Sequence, residues 1–478
     1  MKLIYSCLIV LIFHQMAFGD SMEINPSSNN TIITQQSIYT ENPWIHSLKV
    51  TNNTQTNTDG IIKHLFCDGE WNAFGAVSMQ YTGTQSSFTN YGYGVDLFAQ
   101  TGQLYGFTFG GLIDIVNPFF ATNINGNNPN TQAYFLPSQK QVAPSEAFVE
   151  YQYNNLLQVD AGLIGINNSP WLTPNYFNNM IATPYSYQGA MINVNINKNW
   201  TLTGIGFNGA QGISSSSFTG LTNYNTGYDF LSGIIANNTV TGASAGTIAV
   251  GLNGELFNHQ NTIQIWGYNF ANYGELLYAN DNSKFTLNSD LSFNLNTQAG
   301  MDMSNGNANN INAINDPGNG LNGGSYGQIS SNFLGIQGNI TYKCYSLNVS
   351  YNNVWGNETG YGHGAIVSPY TYGMADDPLY TTPYIAGLVD MGSSGAAYKV
   401  GASINLLDKS LTISPSMTAF KTGVSQWNNT HEYDLITTYA TPKIKGLNIF
   451  GVYAYQQNPP SNSSGNNYVI QIMLSYLY

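Results

Sequence analysis

Apolar and polar residues alternate along most of the chain after residue 70, and the alternation is clearest at the C-terminus. Residues 468–478 place six apolar side chains on one parity, namely Tyr468, Ile470, Ile472, Leu474, Tyr476 and Tyr478. The other parity is mixed in polarity. Because successive side chains of a strand point to opposite faces, this pattern predicts a β-strand with one apolar face. A last strand that ends on an aromatic residue is typical of a bacterial outer-membrane β-barrel, and the edge strand of a soluble sheet is the alternative.

Alternating segments of this kind recur from Trp71 to the end of the chain and predict about eighteen strands. The segment with the clearest alternation is 284–297. A barrel of this size encloses a lumen too wide for side chains to fill, so we expect an aqueous channel that inward-folded loops narrow.

The predicted connections differ in length according to their side of the barrel. Counting back from Tyr478, one set is short: the residues around Gly102, 154–155, 197–198, 254–260, 281–283, 343–344, 405–409 and 443–446. The other set includes the long segments 116–144, 166–183, 209–242, 298–329 and 356–393. Short periplasmic turns and long external loops are the outer-membrane signature. The sequence therefore predicts an all-β fold, a transmembrane antiparallel up-and-down barrel in the outer membrane of a Gram-negative bacterium.

The N-terminus has the pattern of a secretory signal peptide. Lys2 supplies a positive charge, 8–13 form an apolar core, and 17–19 form a small-x-small cleavage site. We expect a signal peptide over 1–19, a polar periplasmic extension over 20–67 and the barrel over 68–478. A small plug formed by 20–67 is the sharper alternative.

The composition is unusual for a soluble protein of this length. Only 8% of the 478 residues are charged, against about 25% in typical domains. The chain has 34 Tyr, 23 Phe and 50 Gly, which suit aromatic girdles and close strand packing. It has no Arg, and its formal net charge is −13, which disfavours nucleic-acid binding. Cys67 and Cys344 remain after signal removal, and whether they pair is open.

Strand parity points several ionisable side chains into the predicted lumen. The candidates for channel-lining residues are Asp96, Glu150, Asp160, Asp290 and Lys399. Inward acids are expected in any barrel, so they can be solvated wall residues. Because they outnumber the single inward lysine, they also indicate a field that favours cations.

Several segments resemble the OprD-type and related major outer membrane porins of Gram-negative bacteria. These segments are Cys67-Asp-Gly-Glu-Trp71, Ala147-Phe-Val-Glu-Tyr151, Asp160-Ala-Gly162, Pro170-Trp171, Tyr185-Ser-Tyr-Gln-Gly189, Tyr372-Gly-Met-Ala-Asp-Asp-Pro-Leu-Tyr380 and Thr382-Pro383. The resemblance is loose, spans most of 67–478, and depends more on the order of the motifs than on any one of them.

The resemblance implies an 18-stranded porin, often trimeric, whose third and seventh external loops narrow the channel. Here those loops would be 166–183 and 356–393, with Trp171, Tyr176, His363, Asp376 and Asp377 as constriction-loop candidates. OprD-type channels carry a largely Arg ladder that guides carboxylate substrates, and this chain has no Arg. That departure puts uptake of acidic solutes by the same mechanism in doubt.

The leading interpretation is a passive diffusion porin for small polar or cationic solutes, and the alternative is an outer-membrane adhesin or structural barrel. A G-x-S-x-G pattern at 242–246 precedes a predicted strand rather than a helix, so we predict no catalytic residues and no enzyme. No cofactor and no metal site are predicted. Some related porins bind calcium, and Asp and Asn supply suitable oxygens here, so calcium stays the alternative although no twelve-residue calcium loop is present. The expected partners are outer-membrane lipid, the barrel assembly machinery, small solutes and a homotrimer.

Overall fold

The fold is described from a computed structural model of the chain. The structure describes residues 69–477, except 84–87, 124–139, 167, 173–185, 212–215, 219–220, 224–240, 244–245, 258–259, 272–273, 306–328, 359–362, 367, 369, 371–376, 423–428 and 459–465. Within these residues, no helix is long and apolar enough to cross a membrane.

Twenty strands make up the regular structure of the described residues. In chain order they are β1 (Glu70–Gly83), β2 (Phe88–Gln100), β3 (Phe107–Asn123), β4 (Gln141–Tyr153), β5 (Leu157–Ile164), β6 (Ser186–Asn197), β7 (Trp200–Gln211), β8 (Leu221–Asn223), β9 (Thr241–Ala243), β10 (Thr247–Leu256), β11 (Asn261–Phe270), β12 (Gly274–Thr286), β13 (Leu291–Ser304), β14 (Ser330–Tyr342), β15 (Tyr345–Gly356), β16 (Gly395–Leu406), β17 (Leu411–Thr422), β18 (His431–Ala440), β19 (Leu447–Gln457) and β20 (Asn467–Leu477).

Eighteen of these strands form one closed antiparallel sheet. Each strand pairs with the next along the chain, β7 pairs with β10, and β20 pairs with both β19 and β1. The short strands β8 and β9 form a separate hairpin within the connection between β7 and β10. The predicted 18-stranded up-and-down barrel is therefore confirmed.

The two faces of the barrel wall differ in polarity, as the alternation predicts. The outer face exposes apolar side chains, for example Val250, Val349 and Ile472, each with more than half of its surface exposed. Their strand neighbours of opposite parity point inward and are buried, and in β20 these include Gln471 and Ser475. The apolar parity of this last strand, from Tyr468 to Tyr476, thus forms part of the outer surface.

The strand connections lie at two rims. One rim carries only short turns, 101–106, 154–156, 198–199, 257–260, 287–290, 343–344, 407–410 and 441–446, and we call it the short-turn rim. The opposite rim, the long-loop rim, carries the long connections, including 165–185, 212–246, 305–329 and 357–394. The predicted separation of short and long connections is present, although individual bounds differ by several residues.

One predicted hairpin is wrong, and it changes the position of Asp290. The sequence predicts a turn at 281–283 and a strand over 284–297. In the structure 281–283 stay in the β12–β13 ladder, and the turn lies at 287–290. The side chain of Asn288 causes this, because its Oδ1 accepts hydrogen bonds of 2.9 Å from the backbone N–H groups of Asp290 and Leu291.

Candidate functional site

Five carboxylates project from neighbouring strands toward the inside of the barrel. They are Asp96 on β2, Asp114 on β3, Glu146 and Glu150 on β4, and Asp160 on β5. All five are less than 10% exposed, and the sequence of β2–β5 contains no Lys or Arg. We call this group the acidic wall.

Within the acidic wall, carboxylates lie directly opposite one another across strand pairs. Asp96 pairs with Asp114, and Glu150 pairs with Asp160. Like charges at such positions repel. The amide Nε2 of Gln158 reduces the repulsion in the second pair, since it donates to Glu150 Oε2 at 2.8 Å and to Asp160 Oδ2 at 3.3 Å. These pairs make the wall a region that favours bound or passing positive charge.

A β-bulge adds Glu146 to the acidic wall. The register between β3 and β4 shifts between Leu112 and Ile113, so that Ser145 and Glu146 are both buried although they are consecutive. The hydroxyl of Ser145 donates to Asp114 Oδ2. Glu146 is not among the residues predicted from the sequence: it shares the parity of Glu150, but it stands at the edge of its predicted strand.

The chain that follows β5 turns back into the barrel, as expected for the third external loop. Trp171 is fully buried, with its ring 6.1 Å from that of Tyr278 and 5.7 Å from that of Phe333. Its backbone N–H donates to Tyr268 Oη at 3.4 Å. The hydroxyl of Tyr187 donates to the carbonyl oxygen of Leu172. These contacts attach the segment 168–172, which we call the third-loop segment, to inward side chains of β6, β11, β12 and β14.

The connection between β15 and β16, the predicted seventh loop, also enters the barrel, where titratable wall residues hold its backbone. In the segment 377–394, which we call the seventh-loop segment, most described side chains are buried. Lys399 Nζ on β16 donates to the carbonyl oxygen of Thr382 at 2.6 Å. On β18, Asp434 Oδ2 accepts from the Tyr384 N–H at 3.3 Å, and Glu432 Oε1 accepts from the Ile385 N–H.

Neutral side chains extend this attachment around the wall. Asn352 Oδ1 on β15 accepts from the Thr381 N–H at 3.0 Å, and Asn280 Nδ2 on β12 donates to Tyr380 Oη at 2.9 Å. The Tyr384 hydroxyl donates to Gln471 Oε1 on β20. The seventh-loop segment therefore contacts strands from β12 to β20.

Asp377 stabilises the bend of the seventh-loop segment from within. Its Oδ1 accepts hydrogen bonds from the Leu379 N–H at 2.9 Å and from the Thr382 hydroxyl at 2.7 Å. Burial, and after it the nearby Asp390 carboxylate, raises the pKa of Asp377 to about 7. The side chain thus acts as a structural acceptor in the loop.

The structure groups the sequence-predicted residues into different environments. Asp96, Glu150 and Asp160 lie together in the acidic wall. Lys399 points inward but belongs to a second group. There the carboxyl groups of Asp434, Glu432 and Asp377 are near enough for electrostatic interaction with its amino group. Their role as channel-lining residues stays a prediction.

The predicted mid-barrel position of Asp290 is wrong. This residue lies in the 287–290 turn, about half exposed, and pairs with Lys343 at 3.8 Å. It is therefore a residue of the short-turn rim, placed there by the Asn288 turn described above.

The predicted constriction-loop residues also lie in different environments. Trp171 and Asp377 are buried inside the barrel, whereas His363 stays near the start of its loop, where its Nδ1 lies 2.8 Å from the Glu358 carbonyl oxygen. Tyr176 and Asp376 lie outside the described residues.

Two further predictions concern cysteine and metal chemistry. Cys67 also lies outside the described residues, so the pairing of Cys67 with Cys344 stays open. Among the described residues, no group of three or more His, Cys, Asp or Glu side chains could hold a metal ion.

The fold is that of a class of 18-stranded outer-membrane channels. No protein-family model and no curated protein matches this chain. Among solved structures, the outer membrane protein OpdK of Pseudomonas aeruginosa has a TM-score of 0.67 at 12% identity, with 87% of this chain and 99% of that chain covered. OccAB3 of Acinetobacter baumannii has a TM-score of 0.65 at 11% identity, covering 86% and 99%. OprD of Pseudomonas aeruginosa has a TM-score of 0.63 at 11% identity, covering 87% and 96%. The predicted resemblance to OprD-type porins is confirmed at the level of the fold.

Proposed function

We propose that the protein is a porin of a Gram-negative outer membrane, a passive diffusion channel for small polar or cationic solutes. The observation that carries the proposal is the closed 18-stranded barrel with an apolar outer face and a polar inner face. Because a closed barrel satisfies every backbone hydrogen bond between strands, it can span lipid. The 14-residue strand β13 is long enough, since about 3.3 Å per residue and a tilt near 45° give a height of roughly 30 Å.

A porin role also gives each segment of the chain, each rim and each partner a place. Residues 1–19 would direct export, 20–67 would form the periplasmic extension, and 68–478 would form the barrel. The short-turn rim would face the periplasm and the long-loop rim the cell exterior. The partners would be outer-membrane lipid, the assembly machinery that inserts barrels, small solutes and, in a homotrimer, two further copies. The channel needs no catalytic residue and no cofactor for this task.

The two inward segments would narrow the lumen. The third-loop segment occupies the side of β6, β11, β12 and β14, and the seventh-loop segment reaches from β12 to β20. The acidic wall, on β2–β5, lies on a part of the barrel that these contacts do not include. A solute path between the acidic wall and the loops would therefore have carboxylates along one side.

This arrangement favours cations. Lys399, an inward lysine that could oppose the acidic wall, donates instead to the Thr382 carbonyl oxygen and lies near the Asp434 and Glu432 carboxylates. The field of the acidic wall is therefore left largely uncompensated on β2–β5. Since the Debye length at physiological salt is about 8 Å, similar to a pore radius, the preference should be modest and should increase as salt is lowered.

The test is the reversal potential of the purified full-length protein in planar bilayers across a potassium chloride gradient. We expect a steady conductance with a cation preference. The triple variant Asp96→Asn, Glu150→Gln, Asp160→Asn should shift the reversal potential toward the non-selective value, because the wall loses charge and stays polar.

The matched control is Asp290→Asn, which removes the same kind of charge from the exposed turn and should leave selectivity unchanged. A protein that inserts but conducts no ions would contradict the channel. A clear anion preference, or an unchanged potential in the triple variant, would contradict the role of the acidic wall.

A further inference from the structure

An uncharged, amide-lined cavity lies inside the barrel wall next to the acidic wall. It has a volume of about 300 Å³ and extends along β4–β7 and β10 to the 154–156 turn. Eight of its ten lining residues are Asn or Gln, one is Thr and one is Leu. Such a volume is at the lower end of the range for small-molecule sites, about 300–1,000 Å³.

Hydrogen bonds inside the cavity leave one donor and two acceptors unused. Asn193 Oδ1 accepts from Thr203 Oγ1 at 2.7 Å and from Asn168 Nδ2 at 3.3 Å. The two amides are oriented relative to each other, because turning over only one of them would bring two oxygens or two NH2 groups face to face. Asn193 Nδ2, Asn168 Oδ1 and Asn253 Oδ1 are buried and have no hydrogen-bond partner among the described residues. Asn193 itself is 7% exposed.

A buried polar atom without a hydrogen-bond partner destabilises the fold, so a ligand that supplies the partner gains binding free energy. An unsatisfied buried group costs about 1–3 kcal/mol, and native structures normally pair such groups with protein, water or ligand. By contrast, the amide of Asn195, closer to the short-turn rim, is paired: Thr201 Oγ1 donates to Asn195 Oδ1 at 2.8 Å, and Asn195 Nδ2 donates to the Asn155 carbonyl oxygen at 2.7 Å. The unused groups of Asn193 and Asn168 lie together, whereas Asn253 pairs with Thr201 in the sheet and lies closer to the short-turn rim.

None of the residues that line the cavity is charged, so hydrogen bonds rather than charge would hold a ligand there. Gln158, which separates the cavity from Glu150 and Asp160, directs its Nε2 toward both carboxylates. A ligand in the cavity therefore meets amides and not the acids behind them.

We propose that this cavity binds a neutral polyhydroxylated solute of about monosaccharide size. Each hydroxyl can donate one hydrogen bond and accept others, so different hydroxyls of one molecule can satisfy Asn193 Nδ2, Asn168 Oδ1 and Asn253 Oδ1 at separate positions in the cavity. The inference rests on the proposed channel function, because the solute would reach the cavity from the lumen, and it names a solute class that the acidic wall alone does not favour.

The test uses the detergent-solubilised full-length barrel and saturation-transfer NMR with glucose as the probe. We expect saturable binding that Asn193→Ala and Asn253→Ala each weaken about fivefold to tenfold, as the loss of one hydrogen bond predicts. Asn348→Ala is the matched control, since Asn348 is an inward β15 residue with a buried unpartnered oxygen outside this cavity. Heat-modifiable migration verifies that each variant is folded.

A second probe separates hydroxyl recognition from filling of the cavity. Triethylene glycol dimethyl ether accepts hydrogen bonds but donates none, so it should bind at least fivefold more weakly than glucose. Equal signals from both probes, or glucose binding that neither cavity variant changes, would overturn the inference and leave a cavity that holds only water. Conductance of the same preparation separates the two proposals: an open channel without glucose binding contradicts this inference alone, and glucose binding without conductance contradicts the channel alone.

Discussion

Lys399 shows how one side chain can hold a loop inside a barrel. Its Nζ donates to the Thr382 carbonyl oxygen, and the carboxylates of Asp434 and Glu432 lie close enough to act on its charge. Those two carboxylates accept the next backbone N–H groups of the same loop. Removing one partner from a buried ionic group leaves the other charges uncompensated, at a cost of about 3–5 kcal/mol.

We therefore expect Lys399→Met to loosen the seventh-loop segment. The single-channel conductance should rise and its fluctuations should increase, because the loop loses its attachment to β16 and its neighbours on β18 become an unbalanced pair. The control is Lys421→Met, which removes an exposed lysine from the neighbouring strand β17. Wild-type conductance and noise in Lys399→Met would contradict the tether.

Residue positions are predictable from the sequence only where the strand period is unbroken. Parity alone places Asp96 and Asp160 inside, because period two holds through β2 and β5. Glu146 stands beside a bulge, where two consecutive side chains turn inward. The partners of Lys399 lie in a loop, and no periodic rule predicts where a loop returns to the wall.

At the scale of elements, β20 is the strand that closes the barrel. It pairs with β19 on one side and with β1 on the other, so it closes the sheet and removes both edges. Its register brings Tyr476 opposite Gly75 on β1 and Leu447 on β19. The alternation of the last residues was sufficient to predict this strand, since one face had to be wholly apolar to meet lipid.

Deletion of 476–478 should prevent closure and leave the protein without a heat-modifiable barrel. The expected result is loss of the fast-migrating folded form and of outer-membrane protein, measured by gel migration and membrane fractionation. Deletion of three residues within the long connection, 309–311, is the control and should be tolerated, because the deleted residues lie outside the twenty strands of the described residues. A normal folded barrel in the outer membrane after the 476–478 deletion would contradict the closing role of β20.

The 287–290 turn shows why element bounds were harder to predict than elements. Asp281-Asn282-Ser283 has the composition of a turn, yet Asn282 pairs with Asn296 in the ladder. The turn forms where the Asn288 side chain can cap two backbone N–H groups. Both segments contain Asn, Asp and Ser, so composition alone did not distinguish them.

At the scale of the whole molecule, every long connection lies at one rim, and the other rim carries only short turns. Successive connections alternate between the rims because each strand reverses the direction of the one before it, but this geometry leaves their lengths free. The difference in connection length is visible in the sequence and was the strongest predictor of the barrel. The width of the barrel predicted that some loops fold inward, and the family resemblance indicated which two do so.

The orientation of the barrel in the membrane can be tested with tags at the two rims. Asn309 belongs to the 305–329 connection at the long-loop rim, and Ser289 belongs to the 287–290 turn at the short-turn rim, with the whole length of β13 between them. If the long-loop rim faces outward, a protease-cleavable tag at Asn309 should be cut on intact cells, and a tag at Ser289 should be protected. Both should be cut once the outer membrane is permeabilised.

A tag at Ser289 interrupts the turn that Asn288 caps, so a second insertion at Lys445, in the 441–446 turn of the same rim, controls for local damage. Heat-modifiable migration verifies folding in each tagged protein. Cleavage at Ser289 and Lys445 with protection at Asn309 would reverse the assignment of the rims and place the long connections in the periplasm. The protection pattern therefore tests the orientation of the barrel independently of its conductance, because it requires only that the protein is inserted and folded.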